Sequence, residues 1–285
     1  MVAYIAAMVV LTSLHRLDIR LALALLGGGA LMAFVGFLDD RNSLSARFRI
    51  VIHFIAAIWV VNVLANSPAV LTQTWDFAGS WIGRAAVVIG LVWVSNLFNF
   101  MDGIDGIAAS EAVFALAAGA CLHWYLGGDP GLTLAMILLA AATLGFLRWN
   151  WPPAKIFMGD VGSGFLGIEI GVFGLASSQS GVLNWGVWMI LGGVFIVDAT
   201  VTLLRRIWRG DRWFEPHRTH AYQHLARRWG SHGRVTAAVS VVNACWLFPL
   251  AWVAATQPRL AYAVLAVALA PLLGLAVLYG SGRRE

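Results

Sequence analysis

The chain has 285 residues, of which 60% are apolar and 12% charged, and its mean hydropathy is +0.79. A soluble domain averages about 25% charged residues, so 19 basic and 14 acidic side chains cannot cover a water-exposed surface of this size. The net charge of +5 fits a membrane face better than a nucleic-acid partner, disorder is excluded by the same composition, and a polytopic membrane protein remains.

Ten apolar segments follow in chain order. They are Val2–Leu14, Leu21–Leu38, Ile50–Ala65, Ala85–Met101, Ile107–Leu126, Leu132–Leu147, Val161–Ala176, Trp185–Leu204, Val235–Ala255 and Leu260–Tyr279. A spanning helix needs about 20 apolar residues, and Val2–Leu14 is the weakest of the ten. Helices satisfy their own backbone in lipid. The expected fold is therefore all-α, a helical bundle with about ten spans and one domain over 1–285. No cleavable signal peptide is evident, because the first segment lacks a basic leader. Cys121 and Cys245 lie inside apolar runs, so no disulfide framework is indicated.

Ten spans sort the loops into two sets. One set holds 15 of the 19 basic residues, eight of them in the long loop 205–234. The other holds Arg16, Arg20, Arg84 and Arg259. The positive-inside rule places the first set in the cytoplasm.

Polar residues concentrate on that face. Asp39 and Asp40 stand in GFLDDRNSL, Asp102 and Asp105 in NLFNFMDGIDGIAA, and Asp160 in KIFMGDVGSGFLG. Acids at membrane helix ends are costly and usually functional, although each cluster alone could simply end a helix. Carboxylates without thiolates suit a hard cation such as Mg²⁺, with Mn²⁺ an alternative. The glycines of DGIDG and GDVGSG allow tight turns and close approach to phosphate, whereas the Gly27–Gly29 run reads as helix packing. The loop 205–234 carries eight Arg and four His. Arg suits phosphate, and His217, His220 and His224 are spaced to share one helix face. A His₃ metal site and a lipid-binding basic loop are the alternatives there. Asp198 either bonds within the bundle or faces the cleft. Glu111 and Glu169 read as helix-to-helix hydrogen bonders.

With these motifs the sequence resembles the polyprenyl-phosphate N-acetylhexosamine-1-phosphate transferase family, which includes phospho-N-acetylmuramoyl-pentapeptide transferase. FLDD, NxxNFxDGxDG, FMGDxGS and a His-containing last loop occur in order. The resemblance implies transfer of a sugar-1-phosphate from a UDP-N-acetylhexosamine to undecaprenyl phosphate, with release of UMP. It implies Asp39, Asp40 and Asp102 as catalytic residues and Asp160 as the Mg²⁺ ligand. It implies Asn99, Asp105, Asn150, Phe157, His217, Arg218 and His220 as substrate-binding residues, with Phe157 stacking on uracil. The string HRTHAYQHL lacks the three adjacent histidines of the muramoyl-pentapeptide branch. It resembles members serving O-antigen and related surface glycans. The implied location is a bacterial inner membrane with the site facing the cytoplasm, and a homodimer is a possible assembly. The family normally begins with a further span and a PxPRxGG-type segment. By resemblance this chain starts at the second span and is N-terminally shortened, so a truncated inactive member is one rival reading. A transporter for an anionic substrate is the other.

Overall fold

In the computed structural model, residues 1–65, 80–211 and 218–284 are described. Among them there are helices and connecting turns and no strand. The helices are α1 (Val2–Ser13), α2 (Ile19–Asn42), α3 (Ala46–Ala65), α4 (Trp81–Met101), α5 (Ile107–Tyr125), α6 (Pro130–Asn150) and α7 (Gly159–Gln179). They continue as α8 (Trp185–Leu191), α9 (Gly193–Trp208), α10 (Ala221–Trp229), α11 (His232–Val242), α12 (Phe248–Thr256) and α13 (Ala261–Leu278). A π-helical turn at Asn243–Leu247 joins α11 to α12.

Short polar side chains start these helices. Asp18 accepts from Arg20 N and Leu21 N, Asp129 from Leu132 N, and Asn184 from Val187 N. Each satisfies an amide that the first helical turn leaves open. Eight helical stretches among the described residues are long and apolar enough to cross a membrane, one of them α11 continuing into α12, and the pair α8 and α9 makes a ninth. The protein is a multi-pass helical membrane protein. Among the described residues the expected ten spans are thus eight of spanning length, or nine with the bent pair counted as one, and Val2–Leu14 forms only the 12-residue α1. The run Trp185–Leu204 is not straight either: α8 and α9 meet at 82°, at the Gly192-Gly193 pair.

Helix α7 is the axis of the bundle. Its apolar window is 83% buried, against 22–67% for the other long spans. Glycines bring α2 against it: a Cβ at Gly29 would meet Phe165 and Glu169, and one at Gly36 would meet the backbone of Asp160. Small residues of this kind let membrane helices approach closely. Tyr4 Oη donates to Glu169 Oε2 at 2.8 Å and ties α1 to α7. Asn243 Nδ2 donates to Glu111 Oε2 at 2.5 Å and ties the π turn to α5. Both glutamates bond between helices, as the sequence suggests.

The Gly36 contact fixes where Asp160 sits. Gly36→Ala should push α2 off the start of α7 and cost about 1–3 kcal/mol, the usual price of overpacking. Thermal unfolding in detergent measures it; a variant as stable as wild type contradicts the close approach.

Candidate active site

The site is built from helix ends at one face of the bundle. Asp39 and Asp40 end α2, Arg49 lies in the first turn of α3, and Asn99 and Asp102 end α4. Asp160 is the second residue of α7. Antiparallel spans bring these ends together.

Asp40 and Asp160 are linked through the backbone. Asp40 Oδ1 accepts from Asp160 N at 2.9 Å and its Oδ2 from Val161 N at 3.3 Å. Asp40 thus serves as the missing cap of α7, whose own preceding residue, Met158, offers no side-chain bond. Gly159 has φ +64° and lies against this carboxylate; a Cβ there would come 2.6 Å from Asp40 Oδ2. The glycine before Asp160 is required by both conditions.

Asp39 and Asp160 share a cation. Arg49 Nη1 donates to Asp39 Oδ2 at 2.6 Å and to Asp160 Oδ2 at 3.0 Å. Asp39 Oδ1 also accepts from Leu44 N at 2.6 Å. Asn99 Nδ2 donates to Asp160 Oδ1 at 2.7 Å and to Ser163 Oγ at 3.2 Å. Asp160 is therefore oriented from three sides, by α2, α3 and α4.

Asp102 makes the C-cap of α4. Burial first, and then the charges of Asp160 and Asp40, push its carboxyl up from 3.8 to about 8. A carboxyl so shifted holds its proton to higher pH than an ordinary one and, while it does, can donate a hydrogen bond.

Two cavities meet at Arg49, Asn99, Phe100 and Asp160. The larger, of about 750 Å³, opens toward α10 and is also lined by Arg218, His220, Tyr222, Gln223, Arg227 and His232. The smaller, of about 30 Å³, reaches down among the spans to Met32, His53 and Asn96. There Asn96 Nδ2 lies 3.0 Å from His53 Nδ1.

Asn99, Asp160, Arg218 and His220 all line the larger cavity. Asp105 stands behind it, with Oδ2 accepting from Ala154 N at 3.1 Å and Oδ1 3.2 Å from His232 Nδ1. Asn150 is buried away from it; it accepts from Gly106 N and donates to Ile156 O, which staples the DGIDG loop to the loop after α6. Phe157 is 78% exposed and does not line the cavity; Phe100 and Tyr222 are the Phe and Tyr that do. His217 lies outside the described residues. His220 precedes α10 as its N-cap, paired with Gln223 in a capping box, and His224 N donates to His220 O at 3.1 Å. Arg49, His53, Asn96, Tyr222 and Arg227 were not singled out in the sequence. The spacing of Arg49 and His53, four apart at the start of a span, is the one signal that marked two of them.

Among the described residues no three His, Cys, Asp or Glu gather as a self-sufficient metal cage. Mg²⁺ does not need one: it takes one or two carboxylates and completes its shell with water and phosphate. Asp160 and Asp39 supply hard oxygen donors already gathered about one positive charge. The charges of Asp160 and Asp40 add to the upward shift that burial gives Asp102. The residues present fit such an ion.

The sequence of this region matches a known group. A family model described as "Glycosyl transferase family 4" matches residues 22–178. The chain belongs to that family. The matched segment runs from α2 to the end of α7 and contains Asp39, Asp40, Asn99, Asp102, Asp105 and Asp160. Among curated relatives, a Bacillus subtilis protein described as "Probable undecaprenyl-phosphate N-acetylglucosaminyl 1-phosphate transferase" is 34% identical over 212 residues, covering 72% of this chain and 58% of its own. The "Phospho-N-acetylmuramoyl-pentapeptide-transferase" of Wolbachia pipientis wMel is 32% identical over 189 residues, covering 61% and 56%. The protein of the same description from Cutibacterium acnes is 26% identical over 290 residues, covering 87% and 77%. The matched region thus spans between half and two thirds of the length of the first two relatives.

The raised Asp102 has a consequence for stability. An acid with a folded value above its unfolded one binds its proton more tightly when folded, so stability falls as pH rises between the two values. Without added divalent cation, unfolding in detergent should show this loss from about pH 4 toward about pH 8, the window set by the shift from 3.8 to about 8. Asp102→Asn should flatten it. A difference between wild type and variant that stays constant across that range contradicts the shift.

Proposed function

We propose that this protein transfers a sugar-1-phosphate from a UDP-N-acetylhexosamine to undecaprenyl phosphate and releases UMP. The observation that carries the reading is the gathering of Asp160, Asn99 and Arg49 on the wall of one large cavity that is also ringed by Arg218, Arg227 and His220. An anionic nucleotide sugar needs such a cavity beside the acids. The relatives' descriptions support the same chemistry. The positive-inside rule supports a cytoplasm-facing site in a bacterial inner membrane.

In this reaction the bond from the β-phosphorus to the bridging oxygen of UMP breaks, and a bond from the lipid phosphate oxygen to that phosphorus forms. The attacking phosphate has its second pKa at about 6, so it is largely dianionic at pH 7 and needs no proton removed. Asp39 then orients the acceptor rather than deprotonating it. Asp160, with Asp39, would hold Mg²⁺, which when bound supplies neutralisation of the diphosphate charge. Arg218 and Arg227 bind donor phosphate oxygens, and Arg suits that planar, paired contact. The form of the last loop supports a donor of the kind used to begin O-antigen and related surface glycans. A transporter is the weaker reading, because the acids gather at one end of the spans and not at mid-depth.

The test is UMP release by purified protein with Mg²⁺, undecaprenyl phosphate and a panel of UDP-N-acetylhexosamines. Release that requires the lipid and is lost by at least about a hundredfold in Asp160→Ala, the scale for removing one electrostatic catalyst, is the expected result. Lipid-independent release, or an active Asp160→Ala, contradicts the proposal.

A further inference from the structure

The chain turns back after its last span. Gly280 and Gly282 have φ of +83° and +74°, and between them residues 280–282 fold against α9. A Cβ on Gly282 would lie 3.0 Å from Arg205 Cβ and 3.0 Å from Thr202 O. Both the backbone angle and the close approach require glycine there. Three hydrogen bonds fasten the turn. Ser281 Oγ donates to Asp198 Oδ1 at 2.7 Å, Arg205 Nη1 donates to Ser281 O at 2.6 Å, and Gly282 N donates to Thr219 O at 2.6 Å. Ser281 is fully buried.

Asp198 is the point where this turn meets α10. Its carboxylate, also buried, accepts from Ala221 N at 2.9 Å and Tyr222 N at 3.2 Å, the first two amides of that helix. A negative group at a helix start is held by the open amides and the helix dipole. Asp198 therefore joins α9, α10 and the 280–282 turn in one contact set. From α10, Tyr222 Oη donates to Phe100 O at 3.1 Å, and Arg227 Nη2 donates to Arg218 O at 3.1 Å. Tyr222, Gln223 and Arg227 face the larger cavity. The smaller cavity takes no residue from α10.

We infer that the Gly280–Gly282 turn sets the α10 wall of the larger cavity, with Ser281 acting through Asp198 as a positioning residue for the anionic nucleotide-sugar donor. The inference rests on the assignment of that cavity to the donor. Removing the Ser281 hydroxyl takes one donor from a buried carboxylate that α10 also uses. The helix start then loosens, and Arg218 and Arg227 lose their fixed places beside the donor phosphates. The acceptor side keeps all its contacts.

The experiment compares wild type, Ser281→Ala and Asp198→Asn as full chains in detergent. It reads the KM of donor and acceptor separately, the melting temperature, and amide hydrogen exchange over residues 219–229. Ser281→Ala should raise the donor KM about tenfold, the effect of one lost hydrogen bond to a charged group, and leave the acceptor KM unchanged. It should speed exchange at Ala221 and Tyr222, and Asp198→Asn should do the same. An unchanged donor KM, or an equal rise in both KM values with a lowered melting temperature, overturns the inference and leaves Ser281 a structural residue only. Exchange is read without substrate. If wild type itself released no UMP, the transfer reading would fail, while faster exchange in Ser281→Ala would still support the positioning and unchanged exchange would overturn it.

Discussion

The ion bridge from Arg49 to Asp39 and Asp160 is the contact on which the site depends. Three spans end in it, and two carboxylates share one guanidinium. Both acids are partly shielded from water: their side chains are 10% and 31% exposed, and that of Arg49 is 29% exposed. Without the arginine, two negative groups would face one another in a medium that screens poorly. The close approach of α2 to α7 at Gly36, and the capping of α7 by Asp40, hold the acids at this spacing. The bridge therefore joins the packing of the bundle to the chemistry of its end.

The second constraint is the wall of the larger cavity. The larger cavity is closed on one side by α10, which is fixed to Asp198 below and to Phe100 beside it. The smaller ends among Met32, His53 and Asn96. Between them stand Arg49, Asn99 and Asp160, each held by bonds to a different helix. The proposed phosphoryl transfer needs positioning and charge more than covalent chemistry from the protein, and rigid helix ends suit that need.

The acids were legible in the sequence because an apolar chain has few places for charge. Asp39, Asp40, Asp102 and Asp160 each follow or open an apolar run, and the structure collects them at one face. Arg49 was not legible as their partner, since its bridge depends on the crossing of α3 with α2 and α7, which no local pattern records. Hydropathy marks Trp185–Leu204 as one span, but it is blind to the 82° bend at its glycine pair. Asn150 and Asp105 stand in motifs beside the site, yet Asn150 bonds to loop backbone and Asp105 is shared between Ala154 N and His232. Phe157 points to the exterior although its neighbour Asp160 is central. Asp198 and the Gly280–Gly282 turn lie 82 residues apart at their nearest ends, from 198 to 280, so their contact appears only in three dimensions.

The most direct test of the bridge is a double-mutant cycle on lipid-dependent UMP release, with Arg49→Gln, Asp160→Asn and the pair together. Residues that act as one unit show strongly non-additive effects. Each single variant should lose most of the rate, and the double variant should be no worse than the poorer single. Additive losses, or a nearly normal rate in Arg49→Gln, would contradict the account.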